Sequence, residues 1–136
     1  MRSGAGVLWM LSLLAQPGTN EDRIARGLYL TQHVAMCIEC HTPRNAGGEL
    51  ERSRLFEGAP IPVGPPPFAE TWASRAPALA GLKGWTDEDF VTLLTTGRRA
   101  NGTRPRPPMP SFRLEAQDAF SIAAYLRSIE VRTNER

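Results

Sequence analysis

From residue 42 to residue 85 the chain carries Gly47-Gly48, Pro60, Pro62, Pro65-Pro66-Pro67 and Pro77, and no apolar period persists through it. Proline fixes φ and removes a backbone donor, so this stretch can build neither a long helix nor a central strand. A second stretch, residues 98–112, holds Pro105, Pro107, Pro108 and Pro110. Some forty residues without regular structure are out of place in a small domain that packs only on itself. Short helices around such loops would bury little apolar surface. Both difficulties vanish if a large apolar group fills the middle and the loops pack onto it.

The remaining segments predict helices. Thr19-Asn20-Glu21-Asp22 looks like a helix start, with acidic residues at the positive end of the macrodipole. Ile24, Gly27, Leu28, Thr31 and Val34 or Ala35 then share one face at helical spacing. Thr86-Asp87-Glu88-Asp89 opens a short helix carrying Phe90, Leu93 and Leu94, and Gly97 is placed to end it. A last helix spans about residues 114–129, with Ala119, Ile122, Leu126 and Ile129 on one stripe that Phe120, Ala123 and Ala124 widen. There are no repeats and no strong strand pattern. The expected class is all-α, three to five short helices joined by long loops.

Composition narrows the function. With 22% charged residues, 41% hydrophobic and a formal net charge of +2, the chain is not disordered by charge and makes no general case for nucleic-acid binding. No apolar run reaches the roughly eighteen residues of a membrane-spanning helix. Met1-Arg2, the mostly apolar Val7 to Ala15 and Gln16-Pro17-Gly18 read as a secretory signal peptide, although Leu13 is a poor residue two positions before Ala15. A first helix packed on the domain, or an uncleaved anchor, are the alternatives. The expected division is a signal peptide over 1–18 and one domain over 19–136.

The two cysteines are both in Cys37-Ile38-Glu39-Cys40-His41, a C-x-x-C-H sequence, the attachment signature of c-type haem. Cysteines three apart on one helical turn point the same way, so both sulfurs can reach the two vinyl groups on one porphyrin edge. The adjoining His41 can turn its imidazole under the ring to take the proximal position on iron. A thioredoxin-type dithiol is an alternative, but that motif accompanies a βαβ pattern, and none is found. Zinc held by Cys37, Cys40, His41 and His33 is another, though consecutive Cys40 and His41 are awkward around one tetrahedral ion.

An electron-transfer haem usually takes a second protein ligand, commonly Met or His. Met1 and Met10 fall in the leading segment and Met36 sits beside the attachment motif. Met109, within Pro107-Pro108-Met109-Pro110, is the expected ligand, because flanking prolines hold the thioether at low entropic cost. His33 is the runner-up, one turn before Cys37.

These features resemble the class I, mono-haem cytochrome c family over roughly residues 24–129. The resemblance is carried by Ala25-Arg26-Gly27-Leu28-Tyr29-Leu30, Cys37-Ile38-Glu39-Cys40-His41-Thr42, Met109-Pro110-Ser111-Phe112 and Ala124-Tyr125-Leu126-Arg127. It implies a cytochrome c-like fold wrapped around one covalently bound haem c. It also implies that the first and last helices cross with Gly27 facing Tyr125. Phe56-Glu57-Gly58-Ala59-Pro60-Ile61-Pro62, Gly84-Trp85-Thr86-Asp87-Glu88-Asp89-Phe90 and Thr96-Gly97-Arg98-Arg99 are similar to cytochrome domains of bacterial periplasmic dehydrogenases. Those subunits carry several haems, whereas this chain has one C-x-x-C-H, and its loop at residues 73–82 lacks the asparagine-rich turn expected there.

The functional expectation is a periplasmic electron-transfer protein, not an enzyme, working between a dehydrogenase-type donor and a downstream acceptor. A haem enzyme or gas sensor with an open or labile sixth position is the alternative. Phe56, Phe68, Leu79, Leu82, Phe90, Leu94 and Phe112 are candidates for the haem pocket or for plain core. Trp72 and Trp85 are candidate donors to a haem propionate. Arg98, Arg99, Arg104, Arg106 and Arg113 lie in a segment without acidic residues, and are expected to steer an acidic face of a redox partner. Membrane association is expected only if the leading segment is retained.

Overall fold

The computed structural model describes residues 18–130. The first helix, α1 (Asn20–Tyr29), opens on a reciprocal cap. The Thr19 hydroxyl accepts from the Asp22 N–H (3.1 Å), and the Asp22 carboxylate accepts from the Thr19 N–H (2.8 Å). From Leu30 to Val34 the helix widens into a π turn, closed by the Ala35 N–H on the Leu30 carbonyl (2.7 Å). The wider turn rotates the succeeding residues out of α register. This corrects the expected apolar face. Gly27, Leu30 and Thr31 are buried and Ile24 is half-buried, whereas Leu28 and Val34 are 41% and 51% exposed. Val34 is displaced by the π turn, whereas Ala35, the alternative at that place, is half-buried; Leu28 lies at the rim of a seam kept narrow by the helix that crosses it.

That helix is α4 (Ala116–Ser128), and the two elements pack at Gly27. A Cβ on Gly27 would stand 2.0 Å from the Ser121 carbonyl oxygen and 2.6 Å from the Tyr125 Cβ, so no larger residue fits the approach. Tyr125 is buried beside it, edge-on to Phe56 at 6.1 Å between ring centroids, with its hydroxyl accepting from the Gln32 amide (3.0 Å). The glycine–aromatic crossing implied by the resemblance is thus present. On the expected stripe, Ala119, Ile122, Ala123 and Leu126 are buried, while Phe120 is 45% exposed and lies outside it.

Helix α3 (Asp87–Thr96) starts and stops where its caps predict. The Thr86 hydroxyl accepts from the Asp89 N–H (3.1 Å), and Gly97 ends the helix in the left-handed region at φ +69°. Arg127 of α4 holds the start of α3, donating to the Asp87 carboxylate (2.6 Å) and to the carbonyls of Trp85 (2.7 Å) and Gly81 (3.2 Å).

The stretch from residue 42 to residue 85 is mostly irregular, but it is ordered by short elements. Arg52–Arg54 and Ala80–Leu82 form 3-10 turns, and β1 (Ala59–Pro60) pairs antiparallel with β2 (Arg75–Ala76), Ala59 opposite Ala76. Strands of two residues leave no alternation to read. Phe56, Leu82, Ile122 and Leu126 are fully buried at the centre of the core. Among the described residues, no helix is long and apolar enough to cross a membrane. The expected signal peptide, residues 1–18, lies outside the described residues except for Gly18.

Candidate cofactor site

The five-residue helix α2 (Cys37–His41) follows Met36, whose backbone turns into the left-handed region (φ +53°) and redirects the chain after the π turn. Cys37 and Cys40 are unpaired thiols on one helical turn, both half-buried. Together with His41 and Met109 they line a single cavity of about 540 Å³ between α2, α3, α4 and the loops. Burial pushes the Cys37 thiol up to about 11, so it stays protonated at neutral pH.

His41 is 5% exposed, and its Nδ1 lies 2.8 Å from the Pro77 carbonyl oxygen. A carbonyl only accepts, so Nδ1 carries the proton and Nε2 keeps its lone pair free. Burial lowers the His41 pKa, opposed in part by the bond to Pro77, and the ring is held neutral at pH 7.

The position of Pro77 is set by a close backbone approach. Gly58 has φ +81°, and a Cβ there would meet the Ala78 nitrogen at 2.8 Å and the Ala76 carbonyl oxygen at 2.9 Å. Its own N–H donates to the His41 carbonyl (2.9 Å), while the Thr42 hydroxyl accepts from the Phe56 N–H (3.0 Å). The Phe56 carbonyl accepts in turn from the N–H groups of Leu79 (2.8 Å) and Ala80 (3.1 Å). The loop carrying Pro77 is therefore tied to the end of α2 through protein backbone.

On the Met109 side, the Met109 N–H donates to the Arg106 carbonyl (3.3 Å) and the Ala73 N–H donates to the Pro107 carbonyl (2.7 Å). Met109 is half-buried on the cavity wall between Pro108 and Pro110. Of the expected pocket residues, Leu79, Phe90, Leu94 and Phe112 line the cavity. Phe56 and Leu82 are buried core outside its lining, and Phe68 is 86% exposed. Trp85 lines the cavity edge-on to Phe90 (5.6 Å). Trp72 does not line it, and its indole N–H is donated to the Val63 carbonyl (3.1 Å).

His33 is exposed against Tyr29 and is not part of the lining. Among the described residues no group of three or more His, Cys, Asp or Glu side chains is placed to hold a metal ion. Arg99, Arg104 and Arg106 reach the cavity wall, whereas Arg98 donates to the Gly102 carbonyl (3.0 Å) and Arg113 to that of Phe112 (2.7 Å). Sequence reasoning missed Arg75 and Ile61 on the wall, and missed Pro77 as the partner of His41. A role played through a main-chain carbonyl leaves no mark on residue type.

Known proteins resemble this chain in the same region. The family model described as Cytochrome c matches residues 26–130. The fructose dehydrogenase cytochrome subunit of Gluconobacter japonicus is 32% identical over 124 residues, covering 84% of this chain and 24% of that protein. The cytochrome c subunit of the quinone alcohol dehydrogenase of Gluconobacter oxydans is 33% identical over 82 residues, 58% of this chain and 17% of that protein. A diheme cytochrome c-type protein of Cereibacter sphaeroides is 32% identical over 109 residues, 76% of this chain and 34% of that protein. The chain thus spans from 17% to 34% of the length of these relatives.

Proposed function

The chain belongs to the cytochrome c family, and on that premise we propose that it carries one haem c and passes single electrons between a dehydrogenase-type donor and a downstream acceptor. Cys37 and Cys40 would hold the haem through thioethers, and His41 and Met109 would supply the protein ligands to its iron. The observation that carries this reading is the shared cavity: two thiols on one turn, a neutral imidazole with Nε2 free and a thioether all face one space. At about 540 Å³ it is within the range of a small-molecule site, and its walls are largely apolar. That donor set fits a covalent haem.

Bound haem supplies an iron that changes by one electron between Fe(III) and Fe(II). The protein's own work is to hold and tune it. The Pro77 carbonyl fixes the His41 tautomer and orients the ring, which keeps Nε2 available as a donor. Met109 sulfur favours the reduced state, and the apolar walls disfavour the extra charge of the oxidised one, so both raise the potential. With His41 and Met109 both engaged on the iron, substrates would be kept from it, and the chain would do no bond chemistry of its own.

Periplasmic location belongs to the same proposal, since attachment needs reduced cysteines and a chain delivered across the membrane, with residues 1–18 as the export signal and 19–136 as the domain. The relatives' names point to a dehydrogenase as donor. The partner meets Arg98, Arg99, Arg104, Arg106 and Arg113 with an acidic face.

Absorption spectra of the oxidised and reduced protein test the reading. Sharp reduced bands of covalent haem are expected, with the weak far-red band of methionine sulfur on ferric haem present in the wild type and lost in Met109→Ala. Haem bands without that feature would put another ligand, or none, in the sixth position and favour an enzyme or sensor. Colourless protein would end the proposal.

A further inference from the structure

Residues 61–74 leave and rejoin the cavity wall at one place. The Ile61 N–H donates to the Ser74 carbonyl (3.0 Å), and Ile61, Ala73 and Ser74 all line the cavity. Between them the loop is braced from within. The Trp72 indole N–H donates to the Val63 carbonyl (3.1 Å), the Ala69 N–H to that of Pro66 (3.0 Å), and Pro62, Pro65, Pro66 and Pro67 restrict φ. The Ala73 N–H on the Pro107 carbonyl (2.7 Å) fastens its neck to the Met109 segment. From this braced loop Phe68 stands 86% exposed, the most exposed large apolar side chain among the described residues, and Val63 is 55% exposed.

A lone exposed hydrophobic needs no explanation. Phe68 differs because its loop is stiffened and anchored at the rim of the functional cavity, so the ring is presented at low further cost in conformational entropy. Elsewhere on the rim stand Arg99, Arg104 and Arg106, and the chain has no Asp or Glu from residue 97 to residue 113. The loop's own charge is one carboxylate, Glu70. Residues 61–72 include no Lys or Arg, so the loop itself adds nothing to the basic charge of the cavity arginines, and Glu70 beside Phe68 opposes an anionic lipid surface.

We propose that Phe68 is the apolar anchor of the docking surface for a redox partner protein, one that presents carboxylates around an apolar socket. The inference rests on the electron-carrier reading of the cavity and adds the apolar half of the recognition. The arginines set the rate of encounter and its dependence on salt. The buried ring sets the lifetime of the complex.

The test uses the holoprotein on gold bearing a mixed monolayer of carboxylate- and methyl-terminated thiols, with bound mass read by a quartz microbalance and electron transfer by voltammetry. Phe68→Ser is expected to raise the half-saturating protein concentration about tenfold. The salt dependence and the absorption spectrum should stay unchanged, and Phe68→Trp should restore adsorption. Equal adsorption of wild type and Phe68→Ser overturns the proposal. So does binding to phosphatidylglycerol vesicles that is lost in Phe68→Ser, which would assign the loop to lipid. Absence of a voltammetric wave on every surface overturns the carrier reading instead, and the docking surface is then judged by bound mass alone.

Discussion

The two ends of the described chain and its middle are stabilised in different ways. Where α1 meets α4, protein packs on protein until there is no room for a methyl group at Gly27, and Arg26 adds two bonds to Asp118 (2.9 and 3.0 Å). In the middle, loops meet one another mainly through backbone hydrogen bonds and surround a cavity of about 540 Å³. One region is complete as polypeptide. The other is tied through backbone around a space that polypeptide leaves unfilled, and on the proposed reading the haem fills it and supports so much irregular backbone.

The largest effect should come from removing the covalent anchor. Without a group to cover them, the apolar side chains on the walls of this cavity would face water, each forfeiting roughly 1.5–3 kcal/mol of burial, and a few of them together match the stability of a domain. Cys37→Ser with Cys40→Ser is therefore expected to abolish near-ultraviolet circular dichroism and the cooperative thermal transition, while part of the helical signal persists. A cooperative transition in the haem-free double variant would erase the contrast between the two regions.

A smaller loss is expected from attacking the crossing in the haem-bound protein. Gly27→Val places a branched side chain where the Ser121 carbonyl already stands 2.0 Å from an ideal Cβ. The expected cost is about 3 kcal/mol, or roughly 10 °C or more in Tm. The haem spectrum should be retained, because Ser121 and Tyr125 meet Gly27 while other residues of α4, Ile122 and Leu126, line the cavity. Loss of the spectrum alongside stability would show that they are one.

The smallest effect belongs to the ion pair that flanks the crossing. The Arg26 guanidinium holds the Asp118 carboxyl below the ordinary carboxylate value, mainly through its hydrogen bonds. With the folded-state pKa lowered, the stabilisation is complete above the unfolded value and is lost as pH falls through the folded one. Arg26→Ala should lower stability slightly at neutral pH, and the difference from wild type should vanish in acid. Denaturant titrations taken stepwise from pH 7 downward through the carboxylate range measure it, the difference shrinking as Asp118 protonates.

Much of the first region was legible in the sequence because its signals are local. The Thr19 and Thr86 caps satisfy backbone groups three residues away, and Gly97 supplies the left-handed residue its helix needs. The family resemblance named Gly27 and Tyr125 as partners, and the C-x-x-C-H sequence pointed to residues that do face one cavity. The π turn was hidden, since Leu30–Val34 carries no residue that demands it, and helical spacing alone therefore puts Val34 on the wrong surface, while Leu28, ahead of that turn, is left out by the narrowness of the crossing. Phe68 and Trp72 misled for another reason. Their side-chain types suit a pocket, but the route of a proline-rich loop is decided by backbone contacts such as Ala73 with Pro107, which no periodicity encodes.

The crossing also has a bearing on time. Gln32 and Tyr125, joined across it, are 93 positions apart in the chain. A chain that emerges N-terminus first, in delivery across the membrane as in synthesis, presents α1 and the cysteine segment for an interval before the helix that completes the fold arrives. Throughout that interval the thiols that the finished domain half-buries are displayed on an open chain. Placing the latch at the far end of the polypeptide thus schedules the events: the cysteines can be modified first, and the domain shuts afterwards on whatever they have been given.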